Sequence, residues 1–283
     1  MFEDKLKLYR ETINDELKKI LDIIKNKDCV KVCDAIEYSL LEGGKLIRPV
    51  LTLAVCDMFN CDFKKAVCFA SAVEFIHVGS LVHDDLPCMD DDVERRGKPS
   101  CHIKYGESTA VLVGDSLFSS AFEILTYSKN YGVTSEEIVE AVSVLSKMLG
   151  VNGIIGGQDM DIFTKKEDVT EELMIKVAKY KTASLIKAAC SLGAIAAKAN
   201  FLEKEIIEKY ATFFGVAFQI CDDILDYGEE KEKKDLNFLS IYSLKKAKEK
   251  VKECCYFAVR YLKKIKGSEF LIELTNFVLN RVN

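Results

Sequence analysis

Proline is almost absent from this chain, and its placement constrains the fold more than any other feature. Only three occur in 283 residues: Pro49, Pro87 and Pro99. No proline therefore interrupts a helix anywhere after the first hundred or so positions. Leu, Ala, Lys and Glu, all good helix formers, dominate the rest. Leu6, Tyr9, Ile13, Leu17, Ile20 and Ile24 recur at helical spacing, as do Val67, Ala70, Ala72, Phe75 and Ile76 within 64–83. The segments 107–128, 135–150, 170–198, 203–227 and 240–265 set an apolar face against a charged one. Strand-like alternation between turn signals is not evident. No repeat, low-complexity stretch or linker breaks the chain. The short run EEKEKKD at 229–235 reads as a solvated loop. The expectation is an all-α fold, a single-domain helical bundle over residues 1–283.

Hydrophobic residues make up 49%, enough for a sizeable core, and the formal net charge is −5. That sign gives nucleic acid no general electrostatic attraction, so no nucleic-acid partner is expected. The 11 cysteines are an odd number, and none has a zinc-like spacing with histidine. Charges run throughout the first twenty or so positions, unlike a secretory leader. A reducing, cytoplasmic compartment with free thiols follows. No uninterrupted run of about eighteen apolar residues is visible, so no membrane span is expected.

Two acidic clusters carry the chemistry. The first is HDDLPCMDDD, with Asp84, Asp85 and Asp90 followed by Asp91 and Asp92; the second is QICDDILD, with Gln219, Asp222, Asp223 and Asp226. One acidic cluster on a helix is usually a solvated face. Two of them inside apolar segments are harder to dismiss, because charge in a core-like segment is costly unless compensated. Crowded carboxylates raise one another's pKa until a cation neutralises them. Magnesium takes oxygen ligands and often shares them with substrate phosphates. Asp222 and Asp226, four apart, share a helical face. Asp84 and Asp90, six apart, would not, but Pro87 lies between them and should break the helix so that they converge. Basic residues flank the clusters: Gly43-Gly44-Lys45 and Arg48 before the first, Arg95-Arg96-Gly97-Lys98 after it, and Lys181-Thr182 in mid-chain. Carboxylates with nearby guanidinium forks suit a diphosphate. Glu74 and His77 form one Glu-x-x-His, but a di-iron bundle needs two, and neither His83 nor His102 supplies the second.

In order, the motifs GGKLIRP, EFIHVGSLVHDDLPCMDDDVERRGKPSCH, YGESTAVLVGD, GGQDMD, KYKTASLI and GVAFQICDDILD make the chain resemble the trans-prenyl diphosphate synthases of the farnesyl and geranylgeranyl type. The resemblance implies about ten core helices around a central cavity, and a homodimer. It implies three Mg²⁺, bound by Asp84, Asp85, Asp90, Asp222, Asp223 and Asp226. Arg95, Lys181, Thr182 and Gln219 would hold the allylic diphosphate. Gly44, Lys45, Arg48, His77 and Arg96 would surround isopentenyl diphosphate. The implied reaction is ionisation of the allylic C–O bond, attack by the isopentenyl double bond and proton loss, with Thr182 and Gln219 facing the carbocation.

The chain departs from the family after its second acidic motif, where the loop is shortened. Lys234 or its neighbour Lys233 is expected to replace the family's loop lysine. Product length is expected to turn on Gly79, five residues before the first motif, where an aromatic would stop growth at fifteen carbons. With Gly79 the floor would drop to Phe75 and a twenty-carbon product, unless Phe118 fills the gap. Two other readings share the fold: a terpene cyclase, against which QICDDILD argues, and a silent partner subunit, against which the intact motifs argue.

Overall fold

The computed structural model describes residues 2–41, 43–227 and 236–282 of the chain. Helices α1 (Phe2–Ile24), α2 (Val30–Leu40), α3 (Ile47–Met58) and α4 (Val67–Asp84) precede the first acidic loop. Then come α5 (Cys101–Tyr105), α6 (Glu107–Tyr127), α7 (Ser135–Leu149), α8 (Ile154–Phe163) and α9 (Glu171–Val177). A π-helical turn, Ala178–Ala183, leads into α10 (Ser184–Ala196). The long α11 (Phe201–Asp226) and then α12 (Leu244–Leu262) and α13 (Glu269–Asn280) complete the fold. The all-α expectation holds.

The sequence explains the elements. Leu6, Tyr9, Ile13, Leu17 and Ile20, spaced three or four apart on α1, are all 2% exposed or less. Capping boxes start α7 (Thr134 with Glu137) and α11 (Asn200 with Glu203). Each contributes about 1 kcal/mol and fixes where its helix begins. The core is one continuous cluster running from Leu6 to Val282. Within it, α4 packs against α6 and α3, while α10 lies against α3, α4, α7 and α11. Glu16, buried in this core, is satisfied by the Tyr131 hydroxyl at 2.8 and 2.9 Å.

Two details add to the sequence reading. Strands do occur: Glu94–Arg95 pairs antiparallel with Lys98–Pro99. Two residues per strand are too few to show a period. The signal was the Arg96-Gly97 pair, which takes φ 54° and 79° as a two-residue hairpin turn requires. Apolar length was also underestimated. Phe63–Asp84, Glu107–Tyr131 and Ser135–Phe163 are each long and apolar enough to cross a membrane by length and composition. An averaged window tolerates a charge or two that a search for an unbroken run does not. The first segment is 78% buried inside the fold, so its apolar surface is already covered by protein.

Candidate active site

Both acidic clusters sit at helix C-terminal ends. Asp84 is the last residue of α4 and Asp226 the last of α11. The macrodipole is negative there, so it disfavours carboxylates and favours cations. Beyond α4 the chain turns back on itself. The Asp90 N–H donates to the Asp84 carbonyl at 2.8 Å, and Met89 and Asp91 donate to Leu86 at 2.8 and 3.1 Å. The break around Pro87 thus brings Asp84 and Asp90 together, as their spacing predicts.

The six aspartates do not play equal parts. Asp85 is 3% exposed and accepts from Arg95, whose Nη2 also reaches Asp92 at 2.9 Å. Burial raises the Asp85 carboxyl against the pull of Arg95. Asp223 is 7% exposed and accepts from Gln219 Nε2 and from the Phe238 N–H, each at 2.8 Å. Burial raises it to about 6 despite both bonds. Asp85 and Asp223, expected among the metal ligands, are thus engaged by internal donors. Asp84 is half-buried and Asp226 exposed. Asp222 is raised by burial, opposed first by Arg281, whose Nη1 lies 3.0 Å from Oδ1.

The π-helical turn supplies Lys181 and Thr182. One extra residue in the turn re-aims these side chains relative to α10, a frequent device at functional sites. Lys181 pairs with Asp161 of α8. Burial works to lower its pKa, but Asp161 and Asp84 outweigh that and the net direction is up, so it stays charged. Asp90 acts on it in the same sense, which sets Lys181 against the first acidic loop. Thr182 donates its hydroxyl proton to Gln219 Oε1 on α11. Thr182, Gln219, Asp223 and the Phe238 N–H therefore form one chain of hydrogen bonds tying two helical segments together.

A second cationic group lies between α3, α4 and the hairpin. Arg48 Nη1 stands 3.4 Å from His77 Nε2. Burial, then Arg48, Arg96 and Arg95, hold His77 well below its usual range, so the ring is neutral. Arg96 donates to the Gly43 carbonyl. A β-carbon on Gly44 would meet Arg96 Nη1 at 2.9 Å, so glycine lets the guanidinium lie against the loop. Lys45 is exposed, and it acts with Arg48 to lower Asp222.

The structure therefore collects Gly44, Lys45, Arg48, His77, Arg96 and Asp222 in one region. Lys181, Thr182, Gln219, Asp84, Asp90 and Asp161 form another beside it, with the Thr182–Gln219 bond between α11 and the π turn. Lys234 lies outside the described residues. Phe75 is fully buried one turn before Gly79, and the Phe118 ring lies against Gly79. Sequence reasoning assigned no role to Asp161, although GGQDMD had been singled out, nor to Asp92. It also missed Arg281, which has no motif around it.

Among the described residues no three His, Cys, Asp or Glu side chains lie close enough to hold a metal ion by themselves. The donor set still fits magnesium shared with an anionic ligand. Its oxygens are hard, its helix ends favour cations, and Mg²⁺ usually keeps water or phosphate in its shell. Buried groups without partners also point to a ligand: Arg48 Nε and both amide atoms of Gln158 have no hydrogen bond among the described residues.

Residues 30–240 match the family model "Polyprenyl synthetase". The chain is 45% identical over 199 residues to "Geranylgeranyl pyrophosphate synthase 11, chloroplastic" of Arabidopsis thaliana, covering 69% of this chain and 56% of that one. It is 43% identical over 228 residues to "Geranylgeranyl pyrophosphate synthase, chloroplastic" of Capsicum annuum, covering 76% and 62%. The chain thus spans under two thirds of the length of these plant relatives. Among solved structures it superposes on a geranyltransferase from Legionella pneumophila with TM-score 0.91 and 31% identity, covering 99% of this chain and 98% of that one. An FPP/GFPP synthase from Zymomonas mobilis, in its apo structure, gives TM-score 0.88 and 30% identity over 99% and 100%.

Proposed function

The chain belongs to the polyprenyl synthetase family, and from that premise we propose that it is a prenyltransferase. It condenses isopentenyl diphosphate head-to-tail with dimethylallyl, geranyl or farnesyl diphosphate to give farnesyl or geranylgeranyl diphosphate. One observation carries the reading: two aspartate-bearing helix ends, each beside its own set of cationic side chains, with the Thr182–Gln219 bond holding the π turn that carries Lys181 against α11. Two anionic substrates need two such cationic sets.

The residues divide the work. Asp84, Asp90, Asp222 and Asp226 would hold magnesium, with Asp85 and Asp223 fixing the loops that carry them. Bound there, magnesium would neutralise charge on the leaving diphosphate. Lys181 and Arg95 bind the allylic diphosphate and stabilise the same charge electrostatically. Thr182 spends its proton on Gln219, so its oxygen lone pairs remain to face a developing carbocation. Gly44, Lys45, Arg48, His77 and Arg96 orient isopentenyl diphosphate. His77, held neutral, adds a dipole there without a charge. The enclosing helices exclude the water that would quench a cation.

The continuous core supports treating residues 1–283 as one domain. The exposed Val111 and Leu112 on α6 and Ile155 and Phe163 on α8 support a homodimer. The eleven free cysteines support a reducing, cytoplasmic setting. A product assay with Mg²⁺, labelled isopentenyl diphosphate and each allylic primer tests the reaction. Elongation lost on adding EDTA and in Asp84→Asn supports it; elongation indifferent to both contradicts it.

A further inference from the structure

Helix α12 and the turn after it are strongly basic, and none of the site residues above lies in them. From Leu244 to Lys266 there are eight lysines and Arg260 against Glu249 and Glu253, a formal +7 in a chain whose total is −5. The remaining residues therefore carry −12. The helix packs on α11 and α13. Its buried side is Ala247, Val251, Cys254, Cys255, Ala258 and Leu262. Lys245, Lys252, Arg260, Lys263, Lys264 and Lys266 are exposed. Lys246 is spent on Glu171 at 3.2 Å and Lys250 on Glu253 at 2.9 Å. The six exposed cations just named have no carboxylate within 4 Å among the described residues.

A row of lysines alone is an ordinary solvated face, but here apolar side chains stand among them. Tyr256, midway along the helix, is 63% exposed. Phe213 of α11 stacks on Phe257 at 5.2 Å and on Tyr261 at 5.9 Å, and Lys264 Nζ lies 4.8 Å over the Tyr261 ring. This half-buried row leads to a groove of about 470 Å³ at the pole of the bundle away from the acidic motifs. Phe59, Leu202, Ile206 and Ile265 line it together with Lys264 and Lys266. At the tip of α11 beside it, Phe201 is 79% and Leu202 67% exposed. Two large apolar side chains at a helix tip thus stand in water next to unpaired lysines.

We infer that the outer face of α12, with the groove at its C-terminal end, docks the protein on an anionic lipid bilayer. A basic helix whose lysines are interleaved with exposed aromatic and aliphatic groups suits the headgroup boundary. Lysine stems cover apolar surface while their heads stay hydrated, and tyrosine settles at the headgroup level. Lysine outnumbers arginine eight to one, which argues against a surface built for the bidentate reading of nucleic-acid phosphates. The nineteen residues of α12 give a contact about 28 Å long. Phe201, Leu202 and Tyr256 enter the boundary, and the −12 of the remaining chain faces water, which fixes the orientation. The contact is peripheral and does not depend on the reaction proposed above.

Co-sedimentation of the full chain with vesicles tests it, using phosphatidylcholine alone and phosphatidylcholine with one third phosphatidylglycerol. Binding to the anionic vesicles, lost at high salt and absent on phosphatidylcholine alone, is the expected result. Lys252→Gln, Lys263→Gln and Lys264→Gln should each weaken it about fivefold, and together by about a hundredfold. Elongation in vesicle-free solution should be unchanged in all three. The chain has no tryptophan, so Phe201→Trp and Tyr256→Trp each place a single reporter. Its emission should shift to the blue on anionic vesicles. Equal binding to both vesicle types, no binding to either, or a triple variant that binds as the wild type does would overturn the inference. So would unshifted tryptophan emission together with equally tight binding to duplex DNA, which marks a cationic face without lipid contact.

Discussion

The Phe118 ring occupies the place that a side chain on Gly79 would need: a β-carbon there would lie 2.9 Å from ring Cε1 and 3.2 Å from the Leu117 β-carbon. The His83 ring meets Phe118 edge-on at 5.4 Å and fixes it from the side of the acidic loop. The space beside Gly79 on α4 is thus filled from α6. Phe118→Ala should lengthen the main product by at least one five-carbon unit, read by chromatography after dephosphorylation. Gly79→Tyr has no room and should lower Tm, overpacking costing about 1–3 kcal/mol. Adding Phe118→Ala to Gly79→Tyr should restore it. An unchanged product from Phe118→Ala would remove Phe118 from the floor.

His77 gives the protein an acid limb. Its folded pKa is depressed, by burial first and then by Arg48. The unfolded chain therefore takes up the proton first as pH falls. The stability tied to neutral His77 is complete above about pH 6.5, the free value, and is lost progressively below it. Tm of the ligand-free protein should fall from pH 7 to pH 5. His77→Gln, which keeps an acceptor for Arg48, should flatten that fall. Equal slopes for both proteins would contradict the assignment.

Asp85, expected among the metal ligands, is already paired with Arg95, and we propose that the pair positions the loop. Asp85→Ala removes the partner of a guanidinium whose side chain is 29% exposed. The cost should stay below the roughly 3–5 kcal/mol typical of breaking a fully buried pair, because Arg95 keeps some solvent and also Asp92. A drop in Tm with Mg²⁺ affinity nearly unchanged is the expected outcome. Loss of Mg²⁺ affinity equal to that of Asp84→Ala would return Asp85 to the ligands.

Gly44→Ala should push Arg96 off the Gly43 carbonyl. Arginine is flexible, so the fold survives and the loss falls on binding. KM for isopentenyl diphosphate should rise about tenfold, near 1.4 kcal/mol, with kcat little changed. A fall in kcat at constant KM would place Arg96 elsewhere in the reaction.

Much of this was legible in the sequence for physical reasons. Helix and core follow from local periodicity, so α1, α4 and α11 could be read directly. The paired acidic clusters were legible because charge inside apolar helices demands compensation. Asp85 and Asp223 could not be separated from their neighbours, since internal donors such as Arg95 and the Phe238 N–H are set by tertiary approach. The π turn around Lys181 breaks no periodicity that a scan can see. The Arg281–Asp222 pair was invisible because it arises only where α13 meets α11.

The central claim is that the two aspartate helix ends act together on two diphosphates. The most direct measurement is product analysis of the purified protein with Mg²⁺, labelled isopentenyl diphosphate and, separately, the five-, ten- and fifteen-carbon allylic primers, beside Asp84→Asn and Asp222→Asn. Elongation of at least one primer by the wild type, with each single variant reduced by orders of magnitude, is the predicted result. No elongation of any primer, or full activity after loss of either aspartate, would contradict it.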